Sequence, residues 1–199
     1  NNFYSGSTAT TRNSDIKKLN KTIKYLIKQN YFVIRYVSLK RNKLIVKNSK
    51  YIELSIKNEK DKFLQYLLCK HCRLVICYQG GISSYNQLLD TQFLLINSIP
   101  ININILINPI NRSILKKIYF TKAKKYLNCN QIIKEKLHLN LSKNTLKIKN
   151  VKLEENSELE IFNALKETLK VNFNSTKLQK KFISLLPSYL SFSYSPSLV

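Results

Sequence analysis

The chain of 199 residues carries 34 Lys and Arg against 11 Asp and Glu, a formal net charge of +23, and 44% of it is apolar. That much apolar content excludes a disordered basic tail as a description of the whole and suffices for one domain of ordinary size. Nothing approaches the ~20 uninterrupted apolar residues of a membrane span, and four cysteines in this length exclude a disulfide scaffold.

Residues 1–14 are rich in hydroxyl side chains and nearly free of acid, the composition that a cleaved organellar presequence leaves. The chain has no Met and is dominated by Lys, Asn, Ile, Tyr and Phe, the usage of an AT-rich genome. Together these give the expectation of a mitochondrial protein, with a plastid as the alternative. From 15 to 29, Ile16, Leu19, Ile23, Leu26 and Ile27 follow the spacing of a helix with one buried stripe, capped by Ser14 and Asp15. Strands are predicted at 31–37, 43–47 and 51–56, and Lys40, Arg41 and Lys43 form a basic turn that reads as a hairpin tip. A helix is predicted over 59–70 with Phe63, Leu64, Leu67 and Leu68 inward, then a strand over 73–78 whose continuous apolar run suits a sheet covered on both faces.

Gly80 and Gly81, two of the 3 glycines, break that strand and predict a sharp turn or a close backbone approach. Ser83 and Ser84 start a helix carrying Leu88, Leu89, Phe93 and Leu95, and a strand alternates over 101–107 until Asn108 and Pro109 stop it. A further helix is predicted over 112–126 on the spacing of Ile114, Leu115, Ile118 and Tyr119. The order predicts an α/β fold, a mixed sheet with helices packed on it, containing a parallel βαβα unit over about 73–126. Residues 137–150 read as a hairpin turning at Ser142, and the acidic stretch 154–167 precedes helices over 158–170 and 176–186 and a tail over 187–199. The segments divide into 1–14, a basic helix and strand extension over 15–58, an α/β core over 59–152, and a helical region over 153–199.

Catalytic arrangements are missing from the sequence: it has no Gly-rich phosphate loop, no G-x-S-x-G and no H-E-x-x-H. Cys69 and Cys72 have the spacing of a zinc half-site, but no second pair completes it, so neither enzyme activity nor a metal or cofactor is expected. The basic surface is the stronger signal. Between 112 and 152 the only acid is Glu135, against Arg112, eleven lysines and no other compensating charge. Each Lys alone is a solvated charge, whereas the uncompensated run points to a polyanion, a nucleic acid. On a helix over 112–126, Lys116, Lys117 and Lys124 would fall opposite the apolar stripe and meet phosphates. Tyr31, Tyr36, Tyr78 and Tyr85 could stack on unpaired bases or pack at core boundaries.

Residues 73–85 (RLVICYQGGISSY) and 101–115 (ININILINPINRSIL) resemble the core of the ribosomal stalk-base protein, the tenth in the bacterial large-subunit series. The resemblance spans 61–127, about a third of the chain. It implies a domain docked on ribosomal RNA beside neighbouring ribosomal proteins, with a C-terminal helix that holds acidic stalk dimers, here residues 176–186. The expected RNA contacts are Lys40, Arg41, Lys43, Gly80, Gly81, Asn108, Arg112, Lys116, Lys117, Lys124 and Lys125. Alternatives are a small-subunit ribosomal protein of α/β type, an RNA-binding assembly or maturation factor, and a structural subunit of an organellar complex that binds no RNA.

Overall fold

The computed structural model describes residues 14–37, 44, 46–89, 91–99, 110–138, 141–170, 177 and 184. Asp15 accepts a hydrogen bond from the Lys17 N–H and starts a 3-10 turn, Ile16–Leu19, that runs into α1, Asn20–Lys28. The expected stripe is buried at Leu19, Ile23 and Leu26. Strands β1 (Val33–Val37) and β2 (Tyr51–Ser55) follow and pair in parallel, with Arg35 opposite Glu53 in an ion pair of 2.7 Å. They are therefore not the two arms of a hairpin, and Leu44, Val46 and Lys47 lie outside any strand. Lys40, Arg41 and Lys43 themselves lie outside the described residues.

Helix α2, Glu59–His71, begins at a capping box in which the Asp61 N–H donates to Asn58 Oδ1 and the Asn58 N–H to Asp61 Oδ2. Its inward residue is Cys69; Phe63, expected inside, is 62% exposed and Leu64 is exposed as well. The carbonyl of Cys69 accepts the Thr91 hydroxyl at 2.8 Å, which ties the end of α2 to the approach to the next strand.

The α/β class expected from the alternation holds. Strand β3 (Val75–Tyr78), helix α3 (Gly81–Leu88) and strand β4 (Phe93–Ser98) form a parallel βαβ unit, and β5 (Arg112–Leu115) adds a third parallel strand in the order β3-β4-β5. Two expectations within it are corrected. Phe93 and Leu95 belong to β4 and not to the preceding helix, because a short apolar run buried on both faces has no periodicity to separate strand from helix. Leu94 and Ile96 face α1 and α6, while Phe93 and Leu95 pack with Cys77, Val75 and Ile82 on the other side.

The second correction is larger: residues 112–126 are not a helix but β5, β6 (Lys117–Phe120) and β7 (Lys125–Tyr126). Ile114 and Ile118 fit helical spacing and strand alternation equally, and Lys116 between them is buried as well, which hides the period of two. The strand expected over 101–107, with Asn108, lies outside the described residues.

Where β4 meets β5 the register shifts between Leu95 and Ser98, and Asn97 takes a φ of 53°. Asn156 holds this bulge: Asn97 N–H donates to its Oδ1 at 2.8 Å, its own N–H donates to Asn97 Oδ1 at 2.6 Å, and its Nδ2 donates to the Leu115 carbonyl at 2.6 Å. A second sheet, ordered β7-β6-β8 and antiparallel throughout, uses β8, Val151–Glu154. Helices α4 (Cys129–Lys134) and α5 (Lys143–Ile148) lie between β7 and β8 in the chain. The hairpin expected over 137–150 is absent. Ser142 is a helix cap, its Oγ accepting the Thr145 N–H at 3.1 Å, and Leu137 and Leu141 enter the core with Ile118, Ile132 and Val151. Helix α6, Glu158–Thr168, stands as expected behind a Ser157/Glu160 capping box. It buries Ile161, Ala164 and Leu165 against Leu19, Ile23, Leu26, Leu44, Leu94, Ile96 and Ile114, so residues from 15–58, 59–152 and 153–199 share one core. Of the helix expected over 176–186 only Lys177 and Ser184 are described, and both are helical. Among the described residues no helix is long and apolar enough to cross a membrane.

The glycine pair does not need glycine. A Cβ on Gly80 or Gly81 would meet nothing within 4 Å, and the link from β3 to α3 is closed by Ser83, whose Oγ donates to the Gly80 carbonyl at 2.7 Å. Gly81 is the first residue of α3. Gly81→Ala is therefore expected to raise stability by about 0.4–1 kcal/mol, by reducing the entropy of the unfolded chain. A urea titration of both proteins checks it, and a loss of stability would restore a need for glycine here.

Candidate nucleic-acid interface

The strand structure of 112–126 redistributes the expected contacts. Arg112 is 4% exposed, with Nη1 donating to the Asn111 carbonyl at 2.9 Å and Nε at 4.0 Å from Glu167 Oε1. Burial pulls its pKa down and Glu167 acts against that. Lys116, at the step between β5 and β6, is 6% exposed; burial lowers its pKa too, opposed by Glu155. Arg112 lies in β5, where residues 112–114 are buried on both faces, and Lys116 lies in the buried step between the two strands, so neither is a phosphate contact. Lys117 sits 3.4 Å from Glu160 and lies over the Tyr126 ring at 5.5 Å, which leaves it engaged within the fold. Gly80 and Gly81 belong to the parallel sheet's first crossover, on a different sheet from the lysines that remain exposed.

Those lysines gather on β7-β6-β8 and the helices beside it. A turn over 121–124 joins β6 to β7, with Lys124 at a φ of 50°, and exposes Lys122, Lys124 and Lys125. Thr121 anchors the turn by donating its N–H and its hydroxyl to the Asn150 carbonyl at 2.9 and 2.8 Å. At the start of α4 the Asn128/Gln131 box closes with two reciprocal bonds of 3.0 Å, which directs Lys134 to the far end of that helix, with Lys136 just past it. Among the described residues no carboxylate forms an ion pair with Lys122, Lys124, Lys125, Lys134 or Lys136.

Between these elements lies an open cleft of about 340 Å³ lined by Phe120, Ala123, Lys125, Leu127, Gln131, Lys134, Glu135, Leu137, Lys149 and Val151. The register explains its floor: Val151, Phe120 and Lys125 are direct cross-strand neighbours and so share one face of the sheet. Glu135, its one acid, is held by Lys149 at 2.9 Å, and that hydrogen bond keeps its carboxyl below the usual range.

Among the described residues, the acids of the stretch 154–167 are engaged within the fold. Glu155 accepts the Asp15 N–H and pairs with Lys18; Glu158 accepts the Lys21 N–H; Glu154 accepts the Tyr126 hydroxyl; Glu167 faces Arg112. The acidic stretch 154–167 thus fastens α6 to α1 and to the second sheet. Lys122, Lys134 and Lys149 belong to the uncompensated run in the sequence, yet only the turn and α4 show that they converge with Lys124 and Lys125.

Among the described residues no group of three His, Cys, Asp or Glu could hold a metal ion. Burial pushes the Cys77 thiol up to about 12 and Cys69 to about 11, Cys72 adding to the latter, while Cys72 is exposed. Iodoacetamide near pH 8 is expected to label Cys72 before Cys69 and Cys77. The sign for stability follows from the same shifts. An acid whose pKa is higher folded than unfolded helps the native state below the unfolded thiol range near ~8.5, and that help is lost as pH rises through the folded value near 12. The urea midpoint should fall from about pH 9 upward, and a flat midpoint, or early labelling of Cys77, would contradict its burial.

No protein-family model, curated protein or solved structure matches this chain.

Proposed function

We propose that the chain is a structural, RNA-binding constituent of an organellar ribosome, mitochondrial in location, seated at the stalk base of the large subunit. The observation that carries the RNA part is the set of exposed lysines around β6, β7 and α4 that form no ion pair among the described residues, while the acids of 154–167 are engaged within the fold. A chain with a net charge of +23, part of it in this cluster, repels itself unless a polyanion neutralises it. The ribosomal part rests on the resemblance over 61–127 and on the parallel βαβ unit within it. Ribosomal RNA and neighbouring ribosomal proteins are the partners this reading requires, with acidic stalk dimers on residues 176–186.

Sedimentation of organellar ribosomes through high-salt sucrose tests it: a permanent subunit stays with the large particle. Release at high salt would support an assembly or maturation factor instead, and co-sedimentation with the small particle would move the protein to the other subunit.

A further inference from the structure

We infer that the cleft between β6, β7, α4 and β8 receives a single unpaired nucleotide of the bound RNA, so that the protein prefers a bulged strand to a continuous duplex. The inference rests on the RNA-binding reading above and adds what the RNA must offer.

Three observations carry it. The floor is apolar, with Phe120 flanked by Leu127 and Val151, whereas a surface made only to meet a duplex backbone would be polar and convex. The rim is cationic, with Lys125 and Lys134 free of carboxylates among the described residues and the Glu135 charge held by Lys149. The volume, about 340 Å³, lies at the low end of the ~300–1,000 Å³ typical of clefts that hold small organic ligands.

A base within a helix cannot enter, because its faces are covered by its neighbours. An unpaired base can be splayed out, lay one face on an aromatic ring and leave its flanking phosphates at the rim. The Lys122 and Lys124 amino groups on the adjoining turn extend the cationic edge along the strand. Gln131, whose amide oxygen is occupied in the α4 capping box, retains its Nε2 amide donors for a base edge.

The experiment measures anisotropy of the full chain with three fluorescent RNA hairpins: a flush stem, the same stem with one bulged adenosine, and that stem with an abasic bulge, which matches the adenosine bulge in length and charge. The bulged hairpin is expected to bind roughly five- to tenfold more tightly than the other two, the low end of what one stacked base contributes. Ala123→Leu narrows the cleft from an exposed turn without changing charge. It should erase the preference while leaving the salt dependence of binding unchanged. Equal and tight binding of all three hairpins would overturn the cleft inference and leave the RNA-binding reading standing. No binding of any hairpin at ~0.15 M salt would overturn both.

Discussion

Replacing Lys122, Lys124, Lys125 and Lys134 together by Gln is expected to lower affinity for ribosomal RNA by up to roughly two orders of magnitude near physiological salt, and to flatten the dependence of log affinity on log salt by about three units. Each lysine that neutralises a phosphate releases about 0.7–0.9 of a counterion, so four contacts account for a change of that size. The four side chains are exposed and form no ion pair among the described residues, so their removal should leave the fold intact. Surface substitutions of this kind usually change stability by under ~0.5 kcal/mol each. Salt titrations followed by fluorescence anisotropy, with circular dichroism to verify folding, decide the matter. If a folded quadruple variant keeps the parent's slope, the RNA lies elsewhere, and the exposed lysines of α1, Lys24 and Lys28, become the next face to neutralise.

Arg112 and Lys116 provide the contrast. From residue types alone they are indistinguishable from Lys124, and all three belong to one uncompensated run. Their difference is one of tertiary placement: Arg112 lies in β5, where residues 112–114 are buried on both faces, Lys116 lies in the buried step to β6, and Lys124 sits in an exposed turn. The strands could not be read because the segment's apolar residues match helical spacing too, and charged residues on buried positions erase the alternation that marks a strand. Changing Arg112 should thus act on stability and not on the salt slope.

The same distinction explains which elements were legible. Helices α2 and α6 each have a side-chain cap, α1 follows a 3-10 turn capped by Asp15, all three have a run long enough to repeat, and β3 has a continuous apolar core; these stand where expected. Strand β4 and helix α5 are short, and nothing local separates the alternatives. For β4 the deciding factor is burial on both faces between α1, α6 and Cys77, a tertiary fact. For α5 the Ser142 cap was present in the sequence, but alternating Leu137, Leu139 and Leu141 outweighed it. The internal use of the acids was equally hidden, since Glu155 meets Asp15 across 140 residues.

Asn156→Ala is expected to destabilise the fold by about 3–5 kcal/mol, because it strands two buried backbone groups at ~1–3 kcal/mol each and adds a small void. The Asn97 N–H would lose its acceptor and the Leu115 carbonyl its donor, and at the first of these, where Asn97 is 2% and Asn156 0% exposed, water cannot replace the bond. The loss falls where β4 shifts register against β5 and where the chain passes from the parallel to the antiparallel sheet, so both layers lose their junction. Asn97 should respond differently. Its φ of 53° lies in the left-handed region, which Asn tolerates and most side chains do not. Asn97→Gly keeps that conformation and removes only the acceptor for the Asn156 N–H, whereas Asn97→Ala adds backbone strain of roughly 1 kcal/mol. The expected order of urea midpoints is parent, then Asn97→Gly, then Asn97→Ala. Asn156→Asp supplies a signed pH test. Near neutral pH its carboxylate opposes the Leu115 carbonyl, while the protonated acid can donate to it, so the folded pKa should be raised above the unfolded value near ~3.9. The variant's deficit relative to the parent should then be smallest below that unfolded value and grow as pH rises through the folded one. A shift under ~1 kcal/mol for Asn156→Ala, or a deficit of Asn156→Asp that does not change with pH, would mean that the bulge is held by packing and not by this pair.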